Sequence, residues 1–131
     1  MLISREFDYA IRILRALCGK GRRTVGEICD VEHIPQAYAY KIIKKLEKSG
    51  VLSGHRGKQG GYELATPLSE VTLYGVYQAV EGRLYINQCL KEGYLCPNNV
   101  GGQACNVHRA LDGLQEEFAT RLDSVNIQSI L

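Results

Sequence analysis

The run "IPQAYAYKIIKKLEKSGVLSGHRGKQGGYELA", residues 34–65, changes its periodicity halfway along. Up to Leu46 the apolar residues Ala39, Ile42, Ile43 and Leu46 recur at three- and four-residue steps, which predicts a helix with one inward face. Gln36, Tyr40, Lys41, Lys44 and Lys48 then turn outward, and Gly50 ends the helix. Pro35 suits the first helical turn, where a missing N–H costs nothing. From Val51 the pattern predicts two short strands, roughly 51–56 and 61–65, joined by a basic turn. Gly57, Gly60 and Gly61 give that turn the backbone freedom it needs. A phosphate-cradling glycine loop would run through Lys and Ser or Thr into a helix, whereas Gly61 runs into Tyr62 and a strand.

Upstream, "REFDYAIRILRALCGKG" spaces Phe7, Ala10, Ile11, Leu14, Leu17 and Cys18 as one helical face, with Gly19 and Gly21 closing it. "TVGEICDVEHIP" opens with Thr24 and has Glu27 three residues on, a capping box that starts a second, short helix, and Pro35 stops it from continuing. Two short helices with a tight connection make a helix-turn-helix, and the following hairpin makes a wing. Downstream, Thr66-Pro67 breaks the strand, and Thr72 caps a helix over "LYGVYQAVEG" ending at Gly82. Val107, Leu111, Leu114, Phe118, Leu122 and Val125 then mark one stripe of a last, long helix. The expected fold is mainly α with a small β wing: a winged helix-turn-helix over residues 1–82, a cysteine-rich loop over 83–106, and a dimerisation helix with a C-terminal tail over 107–131.

At 131 residues and 45% hydrophobic the chain is sized for one compact domain. No apolar run approaches a signal sequence or a membrane span, so a cytoplasmic location and no membrane partner are expected. The net charge of +2 is unevenly spread. Residues 36–62 hold Lys41, Lys44, Lys45, Lys48, Arg56 and Lys58 against Glu47 alone, which leaves the rest of the chain at −3. A basic patch on a near-neutral protein is the footprint of a nucleic-acid binder, and it is also what a solvated helix face looks like. The long last helix favours the first reading, because palindromic DNA half-sites are read by two-fold dimers.

Five cysteines are an odd number, and a reducing compartment disfavours disulfide staples. Cys18 and Cys29 sit in the helical patterns as small hydrophobes. The other three lie in "NQCLKEGYLCPNNVGGQACNVHRAL", spaced Cys89-x6-Cys96-x8-Cys105-x2-His108 in a loop kept irregular by Pro97 and two glycines. Three thiols and a histidine fit an iron–sulfur cluster, a zinc site, or thiol-based sensing. The paired C-x2-C knuckles usual for zinc are absent, as is a C-x2-C motif in a βαβ setting, so a thiol oxidoreductase is disfavoured. No catalytic constellation is present, and the chain is not expected to be an enzyme.

The sequences "IPQAYAYKIIKKLEKSGVL", "RGKQGGYELA" and "VTLYGVYQAVEG", followed by a cysteine-rich loop and a long helix, resemble the Rrf2 family of winged-helix regulators of the IscR, NsrR and CymR type. The resemblance runs through the whole chain, and the wing from Arg56 to Tyr62 is its most specific part. It implies that the third helix enters the major groove of double-stranded DNA, with Gln36, Ala37, Tyr38, Tyr40, Lys41 and Lys44 at the interface. It implies that Arg56 enters the minor groove beside Lys58. It also implies a homodimer whose DNA affinity is set by an iron–sulfur cluster, of two-iron or four-iron type, held by Cys89, Cys96 and Cys105. Its fourth ligand would be His108 or Asp8, with His33 a further candidate. The signal would be redox state, nitric oxide or iron–sulfur status. The alternative is a cluster-free DNA-binding repressor controlled by a partner protein, zinc or thiol oxidation.

Overall fold

The computed structural model describes residues 2–131. Helix α1 (Arg5–Leu17) starts where the Ser4 side chain accepts the Phe7 N–H, and it buries Phe7, Ala10, Ile13, Leu14, Ala16 and Leu17. Ile11 and Cys18, expected on that face, are only half-buried. The reason is that α2, α3 and α4 all pack on α1, so its covered face is wider than one stripe and takes in Ile13 and Ala16. Helix α2 (Val25–Glu32) has the expected capping box: Thr24 and Glu27 each accept the other's backbone N–H. Its end is fixed by His33 in the left-handed conformation (φ 54°), whose N–H donates to the Cys29 carbonyl. Helix α3 (Gln36–Lys48) buries the expected Ala39, Ile42, Ile43 and Leu46.

Strands β1 (Leu52–His55) and β2 (Gly61–Leu64) pair antiparallel, with Leu52 opposite Leu64 and His55 opposite Gly61. Arg23 adds a single antiparallel bridge on the other edge of β2: its N–H donates to the Tyr62 carbonyl (2.9 Å) and its carbonyl accepts the Tyr62 N–H (2.7 Å). Gly61 makes this approach possible. Its φ is +135°, and a Cβ there would stand 2.5 Å from the Arg23 carbonyl oxygen.

Helix α4 (Leu73–Glu81) starts at the Thr72 cap and stops at Gly82, as expected. Residues between α4 and α5 (Asn106–Asp123) form an irregular segment with a short 3-10 turn at Gln88–Leu90. Leu84, buried to 2% exposure, anchors its start, and the Ile86 N–H donates to the Gln115 side chain of α5 at 3.0 Å.

The last helix differs from its expected single stripe. Leu122 is buried and Phe118 and Ala119 pack on the core, whereas Val107 and Leu114 stay 65% and 55% exposed. Val125 lies beyond the helix, which Ser124 closes. The chain then folds back: Leu73 donates to the Val125 carbonyl (2.9 Å), Ile127 donates to the Val71 carbonyl (2.8 Å), and the Ile127 side chain is fully buried. A spacing pattern gives the period of an apolar face but not its partner, and here one helix divides its face between the core and the surface. The fold class is mainly α with a two-stranded wing and a long C-terminal helix.

Candidate functional site

The first two turns of α3 present Gln36, Ala37, Tyr38, Tyr40, Lys41 and Lys44 to the surface. Tyr38 packs edge-on against Tyr9 of α1, with ring centres 6.0 Å apart, and the Arg12 guanidinium lies over Tyr9. The lysines are not free. Glu6 of α1 accepts from Lys41 at 2.6 Å and from Lys45 at 2.7 Å, and Lys45 also donates to the Val80 carbonyl. These hydrogen bonds hold the Glu6 carboxyl below the usual carboxylate range. Lys44 pairs with Glu47 at 3.0 Å and sits 5.6 Å from the Tyr62 ring centre. Counting charges along the chain missed this, because Glu6 is 35 positions from Lys41 and is brought to it only by the packing of α1 on α3.

On the wing the balance is reversed. Arg56 and Lys58 are exposed and make no ion pair among the described residues. The strands beneath them are braced: Glu63 of β2 accepts from His55 of β1 at 2.8 Å and faces the Arg22 guanidinium at 3.5 Å. Desolvation pushes the Glu63 carboxyl up, but the hydrogen bonds from Arg22 and His55 outweigh it and leave it below its ordinary value. The other Arg22 amino group donates to the Gln59 carbonyl at the wing turn (3.0 Å). An exposed helix face beside a braced hairpin, whose Arg56 and Lys58 have no ion pair among the described residues, makes a surface of the shape and charge that suits a duplex groove and its phosphates.

The cysteine segment gives a different result from its expectation. Cys89, Cys96, Cys105 and His108 do line one pocket, of about 450 Å³, together with Asn87, Asn98, Asn106 and Val107. They do not converge: among the described residues no group of three or more His, Cys, Asp or Glu is placed to hold a metal ion. A closed metal site needs its ligands gathered about one centre, and these side chains are not so placed. Cys105 is engaged as the N-cap of α5, its Sγ accepting the His108 N–H at 3.4 Å, and Cys89 Sγ accepts from the Asn87 side chain at 3.4 Å. Asp8 pairs with Arg12 at 3.0 Å and His33 caps α2, and neither lines the pocket. The residues present therefore do not fit the expected iron–sulfur cluster of either type, and the same geometry argues against zinc.

His108 Nδ1 is buried with no hydrogen-bond partner among the described residues. Cys18 and Cys29 pack against the core, as their positions on the helices predict. Burial, and then the neighbouring Asp30 charge, push the Cys29 thiol up and away from reactivity.

Comparison with known proteins agrees with the fold. The family model described as "Rrf2: Iron-dependent Transcriptional regulator" matches residues 3–131. The chain belongs to the Rrf2 family. It is a DNA-binding transcriptional regulator, not an enzyme. The curated Protein aau3 of Rhizobium meliloti (strain 1021) is 25% identical over 134 residues, covering all of this chain and 85% of that one. The oxidized form of Staphylococcus aureus CymR superposes with TM-score 0.73 at 17% identity, covering 99% of this chain and 95% of that one. IscR of T. potens gives 0.74 at 17% identity, over 99% and 85%. Bacillus subtilis CymR, described as the global cysteine regulator, gives 0.70 at 20% identity, over 99% and 95%. No helix among the described residues is long and apolar enough to cross a membrane.

Proposed function

We propose that the protein is a cytoplasmic, homodimeric, cluster-free repressor that binds a palindromic DNA operator and is controlled by oxidation of the thiols around the cysteine pocket. The observation that carries the DNA reading is the pairing of an exposed α3 N-terminal half with a braced wing whose Arg56 and Lys58 have no acidic partner among the described residues. In this reading Gln36, Ala37, Tyr38, Tyr40, Lys41 and Lys44 face the major groove, and Arg56 enters a narrow minor groove where negative potential is concentrated. Residues 1–82 carry DNA recognition, 83–106 the sensing loop, and 107–131 the dimer helix and tail. The exposed stripe Val107, Ala110, Leu114 supplies the two-fold seam.

The thiol reading is supported by the presence of Cys89, Cys96 and Cys105 in the lining of one pocket, and by a structural relative, CymR of S. aureus, known in an oxidized form. A hydroperoxide converts one thiol to a sulfenic acid, releasing water or an alcohol, and a second thiol condenses with it to a disulfide, releasing water. Such a crosslink pulls on a segment tied at one end to α4 and at the other to α5.

DNA recognition is tested with a duplex selected from a random pool by the reduced protein. Arg56→Ala is expected to weaken binding to it by about 1–3 kcal/mol, and an Arg56→Ala protein that binds like the parent contradicts the assignment. The thiol step is tested by peptide mapping after peroxide treatment. Disulfides among Cys89, Cys96 and Cys105 are expected, and peroxide-treated protein with all three thiols still free opposes thiol control in favour of a partner protein.

A further inference from the structure

The segment "GKGRR", residues 19–23, joins α1 to α2 and carries three cations that the 36–62 basic patch leaves out. Gly19 (φ 65°) and Gly21 (φ 69°) turn the chain sharply toward the wing. Arg23 then pairs with Tyr62 through both backbone groups, so the segment is bridged to the edge of the wing sheet. Arg22 fastens it at the tip by donating to the Gln59 carbonyl and pairing with Glu63. Arg22, Thr24, Glu27, Lys58, Gln59, Gly60 and Glu63 line the groove between segment and wing. Of its two acids, Glu63 is paired with Arg22 and His55, while Glu27 accepts the Thr24 N–H and also feels the charge of Arg23 without forming an ion pair with it. Lys20 is exposed and Arg23 half-exposed, and neither has an ion pair among the described residues.

On α3, by contrast, Lys41, Lys44 and Lys45 are all paired with carboxylates, and only Lys48 is without one among the described residues. A paired lysine must give up its carboxylate before it can neutralise a phosphate, whereas an unpaired one has only mobile counterions to release. We infer that residues 19–23 form a second phosphate-contacting edge of the DNA interface, with Lys20 and Arg23 as backbone donors and Arg22 as the residue that holds them beside Arg56 and Lys58. This inference rests on the DNA-binding reading and extends the interface from the recognition helix and wing to the α1–α2 connection. Its contribution is independent of sequence, because phosphates carry no base identity.

The probe is a random-sequence duplex of roughly 30 base pairs, long enough to cover a dimer's two half-sites, titrated at several salt concentrations with the full reduced chain. The variants are Lys20→Gln, Arg23→Gln and, in the cysteine segment, Lys91→Gln. Gln at position 23 keeps the backbone bridge, and thermal melting monitored by circular dichroism identifies any variant that has lost its fold. Lys20→Gln, at an exposed position, keeps the test open if Arg23→Gln unfolds. Each of the first two is expected to flatten the slope of log K against log salt by about two for the bound dimer, about one per protomer, with Lys91→Gln unchanged. A Lys20→Gln protein with the parental slope, or a Lys91→Gln protein that flattens it equally, overturns the inference. A parent chain that fails to bind the duplex even at about 50 mM salt rejects the DNA-binding reading itself, a result distinct from either.

Discussion

Cys105 shows how a residue can be noticed in the sequence for one reason and serve another in the structure. Its spacing from His108 reads as two metal ligands, yet its Sγ accepts the His108 N–H and caps α5. Cysteine is not among the usual capping residues, so nothing in the sequence announced this use. Serine is a strong cap of similar shape, so Cys105→Ser is expected to leave thermal stability unchanged or raise it while removing one thiol from the pocket. A melting temperature lowered by more than a few degrees shows that the cap is not what Cys105 contributes. His33, a further ligand candidate by its place near the helix-turn-helix, serves as a C-cap: the helix stop at Pro35 was legible, but the left-handed backbone at His33 was not. Histidine, asparagine and aspartate all visit that region, so identity alone does not mark it. Gly61 was legible as a turn residue, while its closeness to Arg23 depended on a contact 38 positions away along the chain.

At the scale of elements, the helix starts marked by a cap in the sequence were found at Thr24 and Thr72, and α3 begins one residue after Pro35, which precedes the first turn instead of lying in it. The signals are local, and the structure preserves them. What packs on what was less legible, and α5 is the clearest case. Leu122 belongs to the intramolecular core, so Leu122→Ala is expected to destabilise the fold by about 2–5 kcal/mol in urea unfolding. Leu114 is exposed, and Leu114→Glu is expected to leave the secondary structure intact and convert a dimer to a monomer in sedimentation. A Leu114→Glu protein that stays dimeric moves the seam elsewhere.

The tie between α1 and α3 makes a pH prediction. Glu6 titrates below its ordinary value because Lys41 and Lys45 donate to its carboxylate. A depressed folded-state pKa contributes stability that is present above the unfolded value and lost as pH falls through the folded one. The parent is therefore expected to lose more stability than Glu6→Gln between about pH 5 and pH 3. Equal acid sensitivity of the two proteins in urea titrations shows that the pair does not link α1 to α3.

For the whole molecule, residues 34–65 were enough to read the third helix and the wing, and the Thr24 capping box upstream completed the winged helix-turn-helix. The charge of the site was only half legible. Counting cations along the chain is not enough, because the fold decides which of them are neutralised: Glu6 takes two on α3, and Arg56 and Lys58 on the wing have no ion pair among the described residues. Ligand spacing along an irregular loop was the weakest guide. Intervals of six and eight residues allow the thiols to share a pocket without converging on one point.

DNA binding by protein freed of metal with a chelator, measured reduced and after peroxide treatment against one selected operator duplex, tests cluster-free thiol control most directly. The metal-free reduced protein is predicted to bind tightly. Peroxide is predicted to weaken binding by about tenfold or more, about 1.4 kcal/mol, reversibly with dithiothreitol, and a protein carrying Ser at positions 89, 96 and 105 is predicted to be insensitive to it. Metal-free reduced protein that cannot bind the duplex, or binding that peroxide leaves unchanged in the parent, would contradict a cluster-free regulator governed by these thiols.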